Sequence, residues 1–134
     1  MITAMNSGSG KTAVTCGLLA ALRRRGLSVQ SFKCGPDYID PMFHTRVLGV
    51  PSRNLDPFLQ GEAGLRRTLA RQRAEFALVE GAMGFFDGVG GSDLSSAWHV
   101  ADTADIPALL VLRPRGSSLT LAAQGRGLQS FRTA

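Results

Sequence analysis

Two sets of residues in this sequence have the types and spacing to do chemistry. The first lies in "MNSGSGKTAV", residues 5–14, which contains Gly10-Lys11-Thr12. These three match the working end of the phosphate-loop pattern G-x-x-x-x-G-K-[ST], although Met5 stands where the strict pattern has its first glycine. In such a loop Gly8 and Gly10 let the backbone approach an anion with no Cβ in the way. The loop's N–H groups and the following helix N-terminus then form a cradle for phosphate oxygens. Lys11 would neutralise charge on the β- and γ-phosphates, and the Thr12 hydroxyl would ligate Mg²⁺. The bland alternative is a capped helix that happens to begin with lysine.

The second set is Lys33, Asp37, Asp40, Glu80 and Asp87. Lys33 closes a β-rich segment, "LSVQSFK", with Asp37 and Asp40 just beyond it. Glu80 closes a second apolar segment, "FALVE", with Asp87 in the glycine-rich loop that follows. Parallel α/β sheets bind ligands at the carboxyl ends of their strands. That rule delivers one cation and four carboxylates to the same edge as the phosphate loop. Carboxylate oxygens beside a polyphosphate are what Mg²⁺, a hard ion, requires. Any one of these acids could simply cap a turn; the five groups together argue for a site.

The elements that must position them alternate along the chain. "MITAM" reads as a strand, and "KTAVTCGLLAALRRRG" as a helix with Val14, Leu18 and Leu22 on its apolar face and Gly26 at its end. "LSVQSFK" is a second strand. A long stretch rich in Gly, Pro, Asp and Asn follows, "CGPDYIDPMFHTRVLGVPSRNLDPFLQG", interrupted by a short helix near "PMFHTRVLG"; loops of that length are often functional. "EAGLRRTLARQRA" is a helix, "EFALVEGA" a buried strand, and "SDLSSAWHVADTAD" is helical. "PALLVL" is a strand, and "SSLTLAAQGRGLQSF" a last helix begun by a serine cap. This order predicts an α/β fold with a mainly parallel sheet and helices on both faces.

Composition bounds the class. The chain has 134 residues, 44% of them hydrophobic, enough for one globular unit with its own core. No apolar run approaches a bilayer's width and the N-terminus has no secretory pattern, so no membrane partner is expected. Cys16 and Cys34 form no metal-binding or redox motif and read as buried, reduced thiols of a cytoplasmic protein. The net charge is +5, with arginines grouped at Arg23-Arg24-Arg25 and at Arg66, Arg67, Arg71 and Arg73. The first group suits a helix C-terminus; the second suits a solvated face or an anionic small molecule better than nucleic acid, since few aromatics accompany it. His44 reads as orienting a substrate or as a cap or packing residue. His99 reads as a phosphate or substrate contact or as neither, and no zinc set surrounds either ring.

The stretches "SGSGKTAVTCGLLAALRRRGLSVQSFKCGPDYIDPMFHTRVLGVPSRNLDPFL", "LVEGAMGFFDG" and "SSAWHVAD" together resemble the N-terminal domain of the cobyrinate a,c-diamide synthase family of corrin biosynthesis. "FKCGPDYIDPMFH" and "NLDPFL" carry more of that resemblance than the phosphate loop does. Dethiobiotin synthetase and the partition-type ATPases are looser relatives with a similarly altered loop. The resemblance implies a P-loop NTPase-type, dethiobiotin-synthetase-like sheet, of which residues 1–134 would form the N-terminal, incomplete part of a synthetase domain. A glutaminase domain would lie outside them.

It also implies an ATP-dependent amidoligase. ATP phosphorylates the a and c carboxylates of cobyrinate or hydrogenobyrinate, and ammonia from glutamine displaces the phosphate. By matching position, Gly8, Ser9, Gly10, Lys11 and Thr12 would bind ATP phosphates. Thr12, Asp40 and Glu80 would hold Mg²⁺, and Lys33 would stabilise the transferring group. Asp37, Tyr38 and Ile39 would face the corrin, and Asp87 would sit in the loop closing the site. Lys11, Lys33, Asp37, Glu80 and Asp87 would be the catalytic group. The full-length enzyme leaves room for a homodimer; no nucleic-acid partner is implied, and the 134 residues alone are expected to be inactive in amidation. At position 113 the family has an acid, as in "VVDARG", where this chain reads "VLRPRG", inverting a charge at a strand end. A non-catalytic nucleotide-binding module and a partition-type ATPase remain the alternatives from other classes.

Overall fold

In the computed structural model, which describes residues 1–132, five strands form one parallel sheet. They are β1 (Ile2–Ala4), β2 (Val29–Cys34), β3 (Ser52–Leu55), β4 (Phe76–Glu80) and β5 (Leu109–Val111). Their order across the sheet is β3-β2-β4-β1-β5. The helices are α1 (Lys11–Arg24), α2 (Ile39–Arg46), α3 (Pro57–Ala70), α4 (Ala97–Ala104) and α5 (Leu119–Phe131). β4 enters the sheet between β2 and β1, so its last residue is flanked on both sides: Glu80 is in register with Lys33 of β2 and with Ile2 of β1.

Side chains of a strand alternate between faces, and β2 shows what that does here. Phe32 and Cys34 pack with Leu55, Leu65, Val79, Ala97 and Val100, on the side of α3 and α4. Val29 packs on the other side with Leu19 of α1 and with Val50. Ser31 and Lys33 share that second face by parity, so a polar pair extends the apolar layer toward the carboxyl edge.

Several expectations need correction. The long polar stretch is not structureless beyond its short helix: Ser52–Leu55 forms β3, an edge strand paired to β2 from Ser31↔Ser52 to Cys34↔Leu55. The inward stripe of α1 is Lys11, Thr15 and Leu19, with Val14 and Leu22 half-buried and Leu18 exposed. And α3 starts at Pro57, before the expected segment, because Asp56 caps it through the Phe58 N–H (2.9 Å) and Pro57 takes the first helical position. The helix is kinked at Gly61, whose φ of 67° breaks the regular pattern. α4 is capped by Ser96, with "SDLSS" outside it, whereas Ser118 makes no side-chain cap to α5. Both thiols are free, but only Cys34 is buried; Cys16 is half-buried. Among the described residues no helix is long and apolar enough to cross a membrane.

Candidate functional site

The loop between β1 and α1 opens into a cleft of about 510 Å³, lined by loop residues and by Lys11, Thr12, Lys33, Asp37, Glu80 and Met83. Gly10 precedes the helix with φ 99°, a left-handed conformation that a side chain would strain. A Cβ built on Gly8 or Gly10 would meet nothing within 4 Å, so it would project into open space over the loop. Ser9 donates to Asn6 Oδ1 (2.5 Å), pinning the loop from within. The Lys11 ammonium bridges the mouth, donating to the carbonyls of Asn6 (3.0 Å) and Met83 (2.5 Å). Burial lowers its pKa, and the like charge of Lys33 lowers it further.

Met83 reaches that bond because the loop after β4 is tightly wound. Its own φ is 51°. Gly84 follows, where a Cβ would lie 2.5 Å from both Met5 O and Asp87 Oδ2. Asp87 accepts the Gly84 N–H (2.9 Å) and so shapes the turn that presents Met83 to Lys11.

At the centre of the cleft is the fully buried Glu80. Its Oε1 accepts from the Thr12 hydroxyl (2.6 Å) and from Lys33 Nζ (2.8 Å). Lys33 also pairs with Asp40 Oδ2 at 2.6 Å, and Asp37 Oδ2 lies 3.9 Å away. Burial acts to lower the Lys33 pKa, but hydrogen bonds to Asp40 and Glu80 outweigh it and the net shift is upward. Thr12, Lys33, Asp37, Asp40 and Glu80 are therefore brought together, while Asp87 stands apart on its own loop. Thr12 and Glu80 are adjacent, and Lys33 separates Glu80 from Asp40. Among the described residues no three His, Cys, Asp or Glu side chains gather to hold a metal unaided. Tyr38 and Ile39 are 83% and 73% exposed at the start of α2, beside the site and free of packing.

Several supporting contacts gave no signal in the sequence. Asp37 Oδ1 accepts the N–H groups of Ile39 and Asp40 (2.8 and 3.3 Å), which starts α2, while Asn54 of β3 donates to the Asp37 carbonyl (2.8 Å). Asn54 lies in the edge strand that polar composition concealed, though inside the family-like "NLDPFL". His44 takes the packing alternative and not the cap: it is fully buried in the last turn of α2, with Nδ1 2.8 Å from Ser31 Oγ. Burial lowers its pKa, against the attraction of Glu80 and Asp40. His99 lies away from the cleft, its Nδ1 accepting the Ser95 N–H (2.9 Å) and its Nε2 3.4 Å from Glu62 Oε1. Arg113, exposed at the end of β5, donates to the Gly8 carbonyl (2.9 Å); its cation braces the back of the loop.

A second hollow, about 500 Å³, lies at the amino edge of the sheet and is lined by Arg23, Arg53, Arg71 and Arg73 with no carboxylate among the lining residues. Arg23 closes α1, and Arg71 caps the end of α3. Helix C-termini attract cations, which accounts for arginines there without a ligand.

Comparison with known proteins identifies the family. The chain is 45% identical to the cobyrinate a,c-diamide synthase of Clostridium tetani and 48% identical to that of Synechococcus, in each case over 98% of its own length. It is 43% identical to the hydrogenobyrinate a,c-diamide synthase of Mycobacterium bovis, over 99%. It spans about 30% of the length of these relatives. Residues 1–124 match the family model described as the CobQ/CobB/MinD/ParA nucleotide binding domain, with the loop and cleft inside the match. A parallel α/β sheet with its phosphate loop, and a match over nearly the whole chain, lead to one conclusion: the protein belongs to the CobQ/CobB/MinD/ParA nucleotide-binding domain family.

Proposed function

We propose that this chain is the ATP- and Mg²⁺-binding part of the synthetase domain of a cobyrinate or hydrogenobyrinate a,c-diamide synthase in cobalamin biosynthesis. The observation that carries the reading is the convergence of Thr12 and Lys33 on one buried Glu80 oxygen at the mouth of the phosphate loop. The residues fit the groups they would take. Open space over Gly8 and Gly10 suits a phosphate chain, and the adjacent Thr12 hydroxyl and Glu80 carboxylate are hard oxygen donors of the kind Mg²⁺ selects. When bound, the ion supplies charge neutralisation at the phosphate oxygens.

A corrin carboxylate is a poor electrophile because an oxide would have to leave. In the proposed reaction its oxygen attacks the γ-phosphorus of ATP and ADP departs, giving an acyl phosphate. Ammonia then forms the C–N bond, inorganic phosphate leaves with the acyl oxygen, and the surplus proton on nitrogen goes to solvent. Glutamine is the ammonia source, through a glutaminase domain outside these residues. Such transfers depend mostly on positioning and charge neutralisation. Lys11 would turn from the Asn6 and Met83 carbonyls to phosphate oxygens, and Lys33 would face the transferring group while Asp40 and Glu80 fix it in place. Tyr38 and Ile39, with Asp37 behind them, would form the rim against which the corrin side chains lie, and Asp87 would keep the Met83 loop closed over the cleft.

The test is calorimetric titration with Mg-ATP of the chain and its Lys11→Ala variant. Binding by the parent and none by the variant is expected; equal affinities would refute the site.

A further inference from the structure

Behind the cleft, two fully buried polar residues that the proposed reaction does not use, Ser31 and His44, form a line with the equally buried Glu80. Ser31 lies two residues before Lys33 on the same face of β2, and His44 lies four residues after Asp40 on the same face of α2. The two elements therefore meet twice. Near the surface Lys33 meets Asp40 (2.6 Å), and deeper Ser31 Oγ meets His44 Nδ1 (2.8 Å). Beyond the ring is Glu80, with His44 Nε2 3.7 Å from Glu80 Oε2. Both of these atoms are buried and neither has a hydrogen-bond partner.

Buried polar atoms are rarely left unpaired, and a carboxylate oxygen least of all. For a neutral ring facing a carboxylate, the arrangement that serves both has the Ser31 hydroxyl donating to Nδ1. A neutral imidazole then carries its proton on Nε2, pointing at Oε2. The opposite tautomer would set a ring lone pair against a carboxylate lone pair. Glu80 is thereby divided: Oε1 serves Thr12 and Lys33 in the cleft, and Oε2 faces the protein interior.

We propose that His44, oriented by Ser31, is a positioning residue that holds Glu80 by Oε2 and so keeps Oε1 directed at the Thr12 side of the cleft. The inference rests on the nucleotide-site reading for its consequence, though not for its geometry. Residues that orient a metal-binding carboxylate or imidazole from behind typically change metal affinity 10- to 100-fold when lost.

Two measurements test it. The sequence has only two histidines, so ¹⁵N-histidine NMR of the chain, with His99→Gln to assign the signals, reads the tautomer directly and needs no nucleotide. A His44 ring protonated on Nε2 and bare on Nδ1 is expected; a ring protonated on Nδ1 alone would overturn the proposal. The second measurement is the Mg²⁺ concentration giving half-maximal ATP binding. His44→Leu should raise it about tenfold with metal-free ATP affinity unchanged, and His44→Gln, whose amide can donate to Oε2, should restore most of it. Equal Mg²⁺ requirements in parent and Leu variant, or no recovery with Gln, would overturn the role. Should the Leu variant not fold, Ser31→Ala is the milder probe: a smaller rise in Mg²⁺ requirement is expected, and none would count against the proposal. Failure of the parent to bind ATP at all would sink the nucleotide reading, while the tautomer would still decide the geometry.

Discussion

The two edges of the sheet use cations in opposite ways. At the carboxyl edge Lys33 is 5% exposed and lies within hydrogen-bond distance of two carboxylates. At the amino edge Arg23, Arg53, Arg71 and Arg73 surround a hollow of nearly equal volume, are exposed, and make no ion pair among the described residues. The amino edge has more cations, yet the carboxyl edge has the organised site. The difference lies in desolvation. A charge taken out of water must be matched by partners in fixed positions, so a buried cation defines a geometry that an exposed one does not. Chain topology sets which edge receives this treatment, because every strand of a parallel sheet releases its loop at the same end.

That contrast can be broken most directly at Lys33. Replacing it by methionine leaves Glu80 and Asp40 facing each other without their shared cation, and should cost about 3–5 kcal/mol. Urea unfolding of Lys33→Met measures this, and a loss below about 1 kcal/mol would mean the pair is solvated after all. A pH series sharpens the same point. Burial alone would depress the Lys33 pKa, but its carboxylate partners raise it above the usual lysine value. The stabilisation it brings is therefore complete below the unfolded lysine's pKa of about 10.4 and is lost as pH rises through the higher folded value. Stability of the parent should fall more steeply above about pH 10.4 than that of Lys33→Met; parallel curves would remove Lys33 as the source. The smallest effect is expected at the other edge, where Arg71→Met should stay within about 0.5 kcal/mol of the parent. A loss there as large as at Lys33 would erase the distinction between the edges.

Much of this arrangement is legible in the sequence, and the gaps have physical causes. β1, β2, β4 and β5 stand out because their segments are apolar. β3 does not, because "SRNL" is a polar edge strand with a single neighbour, and Leu55 alone of its side chains is fully buried. The stripe of α1 was displaced for a related reason. At the end nearest the cleft the inward positions are Lys11 and Thr15, so hydrophobicity tracks a neighbouring stripe through Val14 and Leu18 and misses the buried one. The phosphate loop, Lys33, Asp40 and Glu80 were visible as residues at strand ends, and their shared contact follows from β4 lying between β1 and β2. The interior contact was not: His44 stands out as a lone histidine, but its meeting with a serine of a strand gives no pattern until the two elements are packed. Arg113 shows a further limit, since charge inversion at its position says nothing of where the guanidinium goes. It goes to a backbone carbonyl of the loop.

The insertion of β4 between two strands made earlier in the chain has a consequence for how the protein folds. The hydrogen bond from Thr12 to Glu80 joins residues 68 apart, and that from Lys33 to Glu80 joins residues 47 apart. Neither can form until the long stretch of chain between its two residues has closed, an entropic cost that falls before the contact offsets it. Completion of the cleft therefore coincides with completion of the central sheet, and a ligand that bridges the phosphate loop and Glu80 acts as a clasp on that late event. Because it would bind the closed cleft and not the unfolded chain, such a ligand would stabilise the fold by an amount that grows with its concentration over its dissociation constant.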